Sequence, residues 1–184
     1  MTRVVVFVCC WLMATTTLAQ PQPWRSVPEA SRLQFQATWE GEPLEGRFRD
    51  FTVELQPGTG DGEIASLRVE VDVTSLTTPM PDVDEAMAEP DWFFFAHYPR
   101  AVYSAPEVRA LGEGRYRAEG TLTLKGVSRP LAVPFQWARD GGGGRLRGEL
   151  AMDRTAFGIG EGEWEAGDPI GLEVQLRFDV QMTR

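Results

Sequence analysis

The chain has 184 residues, 42% of them hydrophobic and 24% charged, with a formal net charge of −9. Its positive charge is dispersed over arginines and a single lysine, Lys125; an acidic chain without a clustered basic surface is excluded as a nucleic-acid binder. Cys9 and Cys10, both near the start, are the only cysteines, so the residues after them have no disulfide, no thiol chemistry and no cysteine metal site.

The first nineteen residues read as a secretory signal peptide. Arg3 opens a short basic start, an apolar run extends from Val4 to Ala14, and small residues close it at Thr17-Leu18-Ala19. The run is shorter than the ~20 apolar residues that a membrane span needs. Cleavage is expected near Ala19, leaving residues 20–184 as one domain.

Strand patterns then dominate, and no long amphipathic helix is visible. Leu33, Phe35, Ala37 and Trp39 alternate with polar residues. Gly46 and Phe48 are followed by Phe51, Val53 and Leu55, and the shift of phase predicts a bulge near Asp50. Leu67, Val69, Val71 and Val73 form the next run, and Val102-Tyr103 a shorter one. Tyr116, Ala118, Gly120, Leu122 and Leu124 share one side; so do Leu131, Val133, Phe135 and Trp137, then Leu146, Gly148, Leu150 and Met152. The last run carries Ile170, Leu172, Val174, Leu176, Phe178, Val180 and Met182 on one face. Glycine-rich turns at Pro57–Gly62 and Asp140–Gly144 separate these strands.

One segment breaks the alternation, Thr77 to Arg100. Its prolines exclude a central strand, and Asp82 to Ala88 predicts a short helical stretch with an acidic start. A connection of this length in an all-β domain is often a lid.

About eight strands with one apolar face each predict an all-β domain. The last strand alternates along its whole length without a blunted edge, which favours a closed antiparallel barrel over an open sandwich. At eight strands a barrel interior is just wide enough to be filled by side chains or to hold one ligand. Small inward residues (Ala37, Gly46, Ala118, Gly120, Gly148) suit a cavity, or else make room for large side chains opposite; the pattern leaves both open.

Catalytic constellations are missing from the motifs. His97 is the single histidine, and a metal site needs several converging ligands, so no metal is expected. Ser128 sits in a turn rather than a nucleophile elbow. Asp153 and Arg154 are expected to bond each other or turn backbone, with a head-group contact for Arg154 as the functional alternative. Trp92, Phe93, Phe94 and Phe95 form the largest aromatic run, a plug for one barrel end or a gate touching a ligand.

Five stretches in order give the chain a family resemblance: Gly46-Arg47-Phe48, Val73 to Thr78, Asp91-Trp92-Phe93 with Tyr98-Pro99, Gly120 to Pro130 (GTLTLKGVSRP), and Asp153-Arg154 with Phe157-Gly158-Ile159-Gly160. Together they resemble the YceI family of lipocalin-like polyisoprenoid-binding proteins. The resemblance implies an extended eight-stranded antiparallel lipocalin-like β-barrel with a short helical lid segment, exported to the periplasm or secreted. It also implies an apolar tunnel for a long isoprenoid or other amphiphilic lipid, with no catalysis and no cofactor beyond that ligand. The inward faces then supply Phe35, Trp39, Phe48, Val71, Leu122, Leu124, Phe135, Trp137, Leu150 and Phe178 as tunnel wall, with Trp92, Phe93 and Phe94 at the lid. The sequence departs from the family at Val83, where an arginine often precedes the aspartate, and at Phe94-Phe95, where an acidic residue usually stands; both changes make the lid more apolar. The alternative expectation is a barrel packed solid by its own side chains, an interaction module for a membrane cytochrome b-type partner.

Overall fold

The computed structural model describes residues 22–60 and 62–184; the expected signal peptide and its cleavage point near Ala19 lie outside them. Eleven strand segments and one short helix follow in chain order: β1 (Trp24–Ser26), β2 (Arg32–Trp39), β3 (Glu42–Phe48), β4 (Phe51–Pro57), β5 (Ile64–Asp72), β6 (Leu76–Thr77), α1 (Pro81–Ala86), β7 (Arg100–Gly112), β8 (Arg115–Leu124), β9 (Val127–Asp140), β10 (Gly143–Asp153) and β11 (Glu173–Thr183).

Three strands are broken in two. β1 and β2 both pair with β11, on either side of a 3₁₀ turn started by Pro28. β3 and β4 break at Arg49-Asp50, and β5 and β6 at a 3₁₀ turn over Val73–Ser75. The two breaks share one device: the Ser75 hydroxyl accepts the backbone N–H groups of Arg49 at 3.1 Å and Asp50 at 2.9 Å, and the Arg49 N–H is shared with the Ser75 carbonyl at 3.3 Å. The phase shift near Asp50 is this break. Counted as continuous, the segments form eight antiparallel strands, and β1 closes the ring by pairing with β4 on one side and β11 on the other. The all-β, closed eight-stranded barrel is therefore the architecture.

Two elements differ from the sequence expectation. β7 is thirteen residues long, although only Val102-Tyr103 stood out; its second half is mostly exposed on both faces and so carries no alternation. Ile170 and Leu172 precede β11 rather than belonging to it: Ile170 makes an isolated bridge to Trp39, and Leu172 is exposed.

The outer face is covered by arginine–carboxylate pairs along and across strands. Arg145 donates to both Asp179 oxygens, at 2.5 and 2.8 Å, and Arg147 approaches the same carboxylate at 3.2 Å. The Arg145 hydrogen bond, reinforced by Arg147, holds the Asp179 carboxyl below its ordinary range. Arg117 and Glu119 on β8 pair in the same way at 2.8 Å. Exposed pairs of this kind each contribute ~0–1 kcal/mol.

Candidate binding cavity

The barrel interior is filled in its lower half and hollow above. The filled half is a cluster built by the distal ends of the strands. Trp24 meets Trp137 edge-on at 5.3 Å between ring centres, and Tyr116 stacks on Phe135 at 5.4 Å. The Tyr116 hydroxyl donates to the Gly62 carbonyl at 2.7 Å, so the ring is fixed at both ends. Leu55 and Met182 fill what remains and are completely enclosed. A second cluster (Leu76, Val83, Met87, Trp92, Phe157, Ile159, Ile170) closes the opposite end.

Between the two lies a cavity of about 220 Å³. Its wall takes side chains from nearly every strand, among them Leu33 and Phe35 on β2, Phe48 on β3, Val71 on β5, Leu122 and Leu124 on β8, Leu150 on β10 and Phe178 on β11. Of the lining residues only Thr78, Trp92, Tyr103 and Arg154 carry side-chain nitrogen or oxygen atoms. Leu122, Leu150 and Phe178 point inward yet are only half-buried, because they face this space rather than packed atoms.

The structure sorts the sequence-expected wall. Phe35, Phe48, Val71, Leu122, Leu124, Leu150 and Phe178 line the cavity. Phe135 and Trp137 do not: they belong to the packed base, one and two pleats further along β9 than Val133. Trp39 is also off the wall, packed into the lid-end cluster beside Ile170. A strand pattern gives the face of each residue and not its depth along the barrel, so it cannot separate base from wall.

The inward glycines also have a different role from the one a cavity would give them. Phe35 lies over Gly46, its partner across β2 and β3, and Phe178 lies over Gly148, its partner across β10 and β11; a Cβ at either glycine would collide with the ring. A Cβ at Gly120 would fall 2.5 Å from the Ser104 carbonyl oxygen and 2.8 Å from the Tyr103 ring. These glycines accommodate aromatic rings of neighbouring strands; the space in the barrel arises elsewhere, from the mismatch between a wide ring of strands and aliphatic side chains too short to meet across it.

The lid is α1 and the turns after it. Asp84 anchors its start: its carboxylate accepts the Thr78 N–H at 2.7 Å and the Thr78 hydroxyl at 2.8 Å. That orientation turns Val83 and, four residues on, Met87 towards the cavity, the i, i+4 spacing of one helix face. Val83 stands where the resemblance leads one to expect an arginine, and it is buried against the wall. Trp92 and Phe93 line the cavity, with Phe93 edge-on to Phe48 at 6.4 Å. Phe94, expected at the lid, lies in the lid turn but does not line the cavity: its backbone takes φ 52° and its ring stacks on His97 at 4.1 Å.

Arg154 holds the lid to the barrel. It is buried, at 4% exposure, and all five of its N–H donors are taken by backbone carbonyls. Nε donates to Gly171 at 3.0 Å, Nη1 to Ile159 at 2.7 Å and Gly160 at 3.0 Å, and Nη2 to Trp164 at 2.5 Å and Ile170 at 2.9 Å. Burial pulls the guanidinium below its ordinary pKa, with Asp153 opposing. Asp153 itself turns away to cap the next turn, accepting the Thr155 N–H at 2.8 Å and hydroxyl at 2.6 Å. Of the two roles left open for Arg154, backbone bonding is therefore the one observed. The same loop takes the lid directly: the N–H groups of Gly160 and Glu161 both donate to the Asp91 carbonyl, at 2.8 and 2.9 Å.

The β8–β9 turn is a third tie. Lys125 and Gly126 both have positive φ, as a two-residue hairpin requires. Lys125, its side chain 8% exposed, donates to the Gly158 carbonyl at 2.5 Å and to Glu161 at 2.9 Å. The KG of the sequence motif thus clamps the loop that clamps the lid.

These features have known counterparts. The model of the YceI-like domain matches residues 24–182. UPF0312 proteins of Pseudomonas savastanoi and Vibrio cholerae are each 27% identical, over 139 residues (72% of this chain and 72% of the relative) and 122 residues (63% and 65%) respectively. Among solved structures, BcnA of Burkholderia cenocepacia superposes with a TM-score of 0.79 at 26% identity, covering 85% of this chain and 98% of that one. A polyisoprenoid binding domain from Saccharophagus degradans superposes at 0.70 over 87% and 97% of the two chains, with 15% identity, a likeness of fold alone. With the family model matched along almost all of the described residues, the chain belongs to the YceI-like domain family.

Proposed function

We propose that the protein binds a single apolar chain, the tail of an isoprenoid or a similar amphiphilic lipid, in the barrel cavity and carries or stores it without chemical change. The carrying observation is the cavity itself: a space of about 220 Å³ inside the barrel with an almost wholly apolar wall. Each CH₂ moved from water into such a space contributes roughly 0.8 kcal/mol, so a chain binds without dedicated polar contacts. Further support comes from the fold shared with a domain described as polyisoprenoid-binding. The reading includes export: removal of residues 1–19 would place the barrel in the periplasm or outside the cell.

Native mass spectrometry and lipid extraction of protein purified from its own host test this. A bound chain-bearing lipid is the expected result. A protein that carries no lipid and takes up neither polyprenols nor quinones refutes it. Recovery of a membrane cytochrome b-type protein on the barrel, with no lipid, would support the interaction-module reading instead.

A further inference from the structure

The cavity ends blindly. Along β11 the wall residues are Val174, Leu176, Phe178 and Val180, and the next inward residue, Met182, is already part of the packed base. On β9 the last wall residue is Val133, and Phe135 lies in the base. Tyr103 bounds the cavity at this level; its hydroxyl is held by the carbonyls of Ala118 at 3.0 Å and Leu131 at 3.1 Å. Val174 to Val180 is six residues, roughly 20 Å of antiparallel strand. At the usual barrel tilt of ~35–45° this is roughly 15 Å along the axis. An extended chain advances by ~1.2 Å per bond, since three backbone bonds cover ~3.3–3.6 Å. The depth therefore takes about a dozen chain carbons, or about three isoprene units. The volume sets the same order of size: an engineered apolar cavity of about 150 Å³ in another protein takes one six-carbon benzene, and this one is half as large again, room for roughly nine carbons.

The wall also offers nothing to a charge. Arg154 has no donor left, as all five N–H groups are taken by carbonyls. The Tyr103 hydroxyl donates within the barrel wall, and the Thr78 hydroxyl is bonded to Asp84 and Met80. Val83 brings no cation to the lid. The fourth, Trp92, carries only a neutral indole N–H. One neutral donor suits a hydroxyl or a carbonyl; it does not offset the desolvation of a phosphate or carboxylate.

From the blind end and this wall we infer that the cavity measures chain length: it encloses an uncharged chain end of about twelve carbons, and any charged head group stays outside. The inference rests on the lipid-binding reading above and adds the class of ligand, an uncharged chain end of limited length. A polyprenyl lipid would insert its terminal three units and leave the rest outside the barrel.

Calorimetric titration with straight-chain alkanols of eight to eighteen carbons tests it. Affinity is expected to rise roughly 4-fold per carbon up to about twelve carbons, and then to level off. Dodecyl phosphate is expected to bind no more tightly than dodecanol. Leu150→Trp, which narrows the middle of the cavity, should move the break to shorter chains, and Tyr103→Ala, which lowers its floor, to longer ones. Leu150→Trp keeps the test decisive if Tyr103→Ala fails to fold. A gain that continues unbroken from twelve to eighteen carbons, or a tighter hold on dodecyl phosphate than on dodecanol, overturns the inference and leaves the lipid-binding reading standing. Failure of every alkanol to bind overturns both.

Discussion

The guanidinium of Arg154 lies 5.4 Å from the centre of the Trp92 ring, so the residue that gathers the carbonyls of the 159–171 loop also carries the lid's innermost tryptophan on its face. Loop and lid are one unit, tied again by the Asp91 carbonyl and by Lys125.

Removing the centre of that unit should loosen both parts together. Arg154→Met leaves five carbonyls without their charged donor and is expected to cost ~3–5 kcal/mol in urea unfolding. Arg154→Lys should restore little of it, because an ammonium has three donors and no planar fork. Hydrogen exchange at the Gly160 and Glu161 amides should accelerate in step with the loss. Unchanged protection of those amides would show that lid and loop are held independently.

Gly120 is required by its neighbours rather than by the cavity. Gly120→Ala places a methyl group against the Ser104 carbonyl oxygen, which cannot rotate away. The expected cost is ~1–3 kcal/mol of overpacking, read as a lower urea midpoint. A variant as stable as the parent would mean that β7 and β8 shift to admit the methyl.

Tyr103 makes stability depend on alkaline pH. Burial, with Glu119 adding to it, pushes its pKa up from 10.0 to about 12. The folded state therefore prefers the neutral phenol more strongly than the unfolded chain does. Its contribution is complete below pH 10 and is lost as pH rises through 10 towards 12. Tyr103→Phe should lose ~1 kcal/mol at neutral pH, the worth of the hydroxyl's hydrogen bond, and should show a flatter stability profile between pH 10 and 12. An equally steep profile in the variant would assign the slope to other groups.

Phe93 and Phe94 are neighbours with opposite duties. Phe93 faces the cavity and Phe48, whereas Phe94 stacks on His97 at the surface. Phe93→Ala is expected to release bound dodecanol roughly 10-fold faster, equivalent to about 1.4 kcal/mol of lost apolar contact. Phe94→Ala should leave the release rate unchanged. Stopped-flow displacement measures both, and equal effects would mean that the lid moves as a whole during release.

Residue patterns alone were enough for the barrel and for which side of each strand faces inward, because a period of two leaves no freedom once one face must be buried. Phe35, Phe48, Val71, Leu122, Leu124, Leu150 and Phe178 were legible on that ground. The break at Asp50 was legible too, from a change of phase. Depth was not: Phe135 and Trp137 share a face with Leu131 and Val133, and only strand register, set by partners far away in the chain, carries them into the packed base. Nor was the direction of a loop aromatic, as between Phe93 and Phe94, where a single positive φ turns one ring inward and its neighbour out. Alternation thus decided what faces the interior, because that depends on neighbours two residues apart. Tertiary structure alone decided what the interior contains, because packing depends on which side chains meet across the barrel.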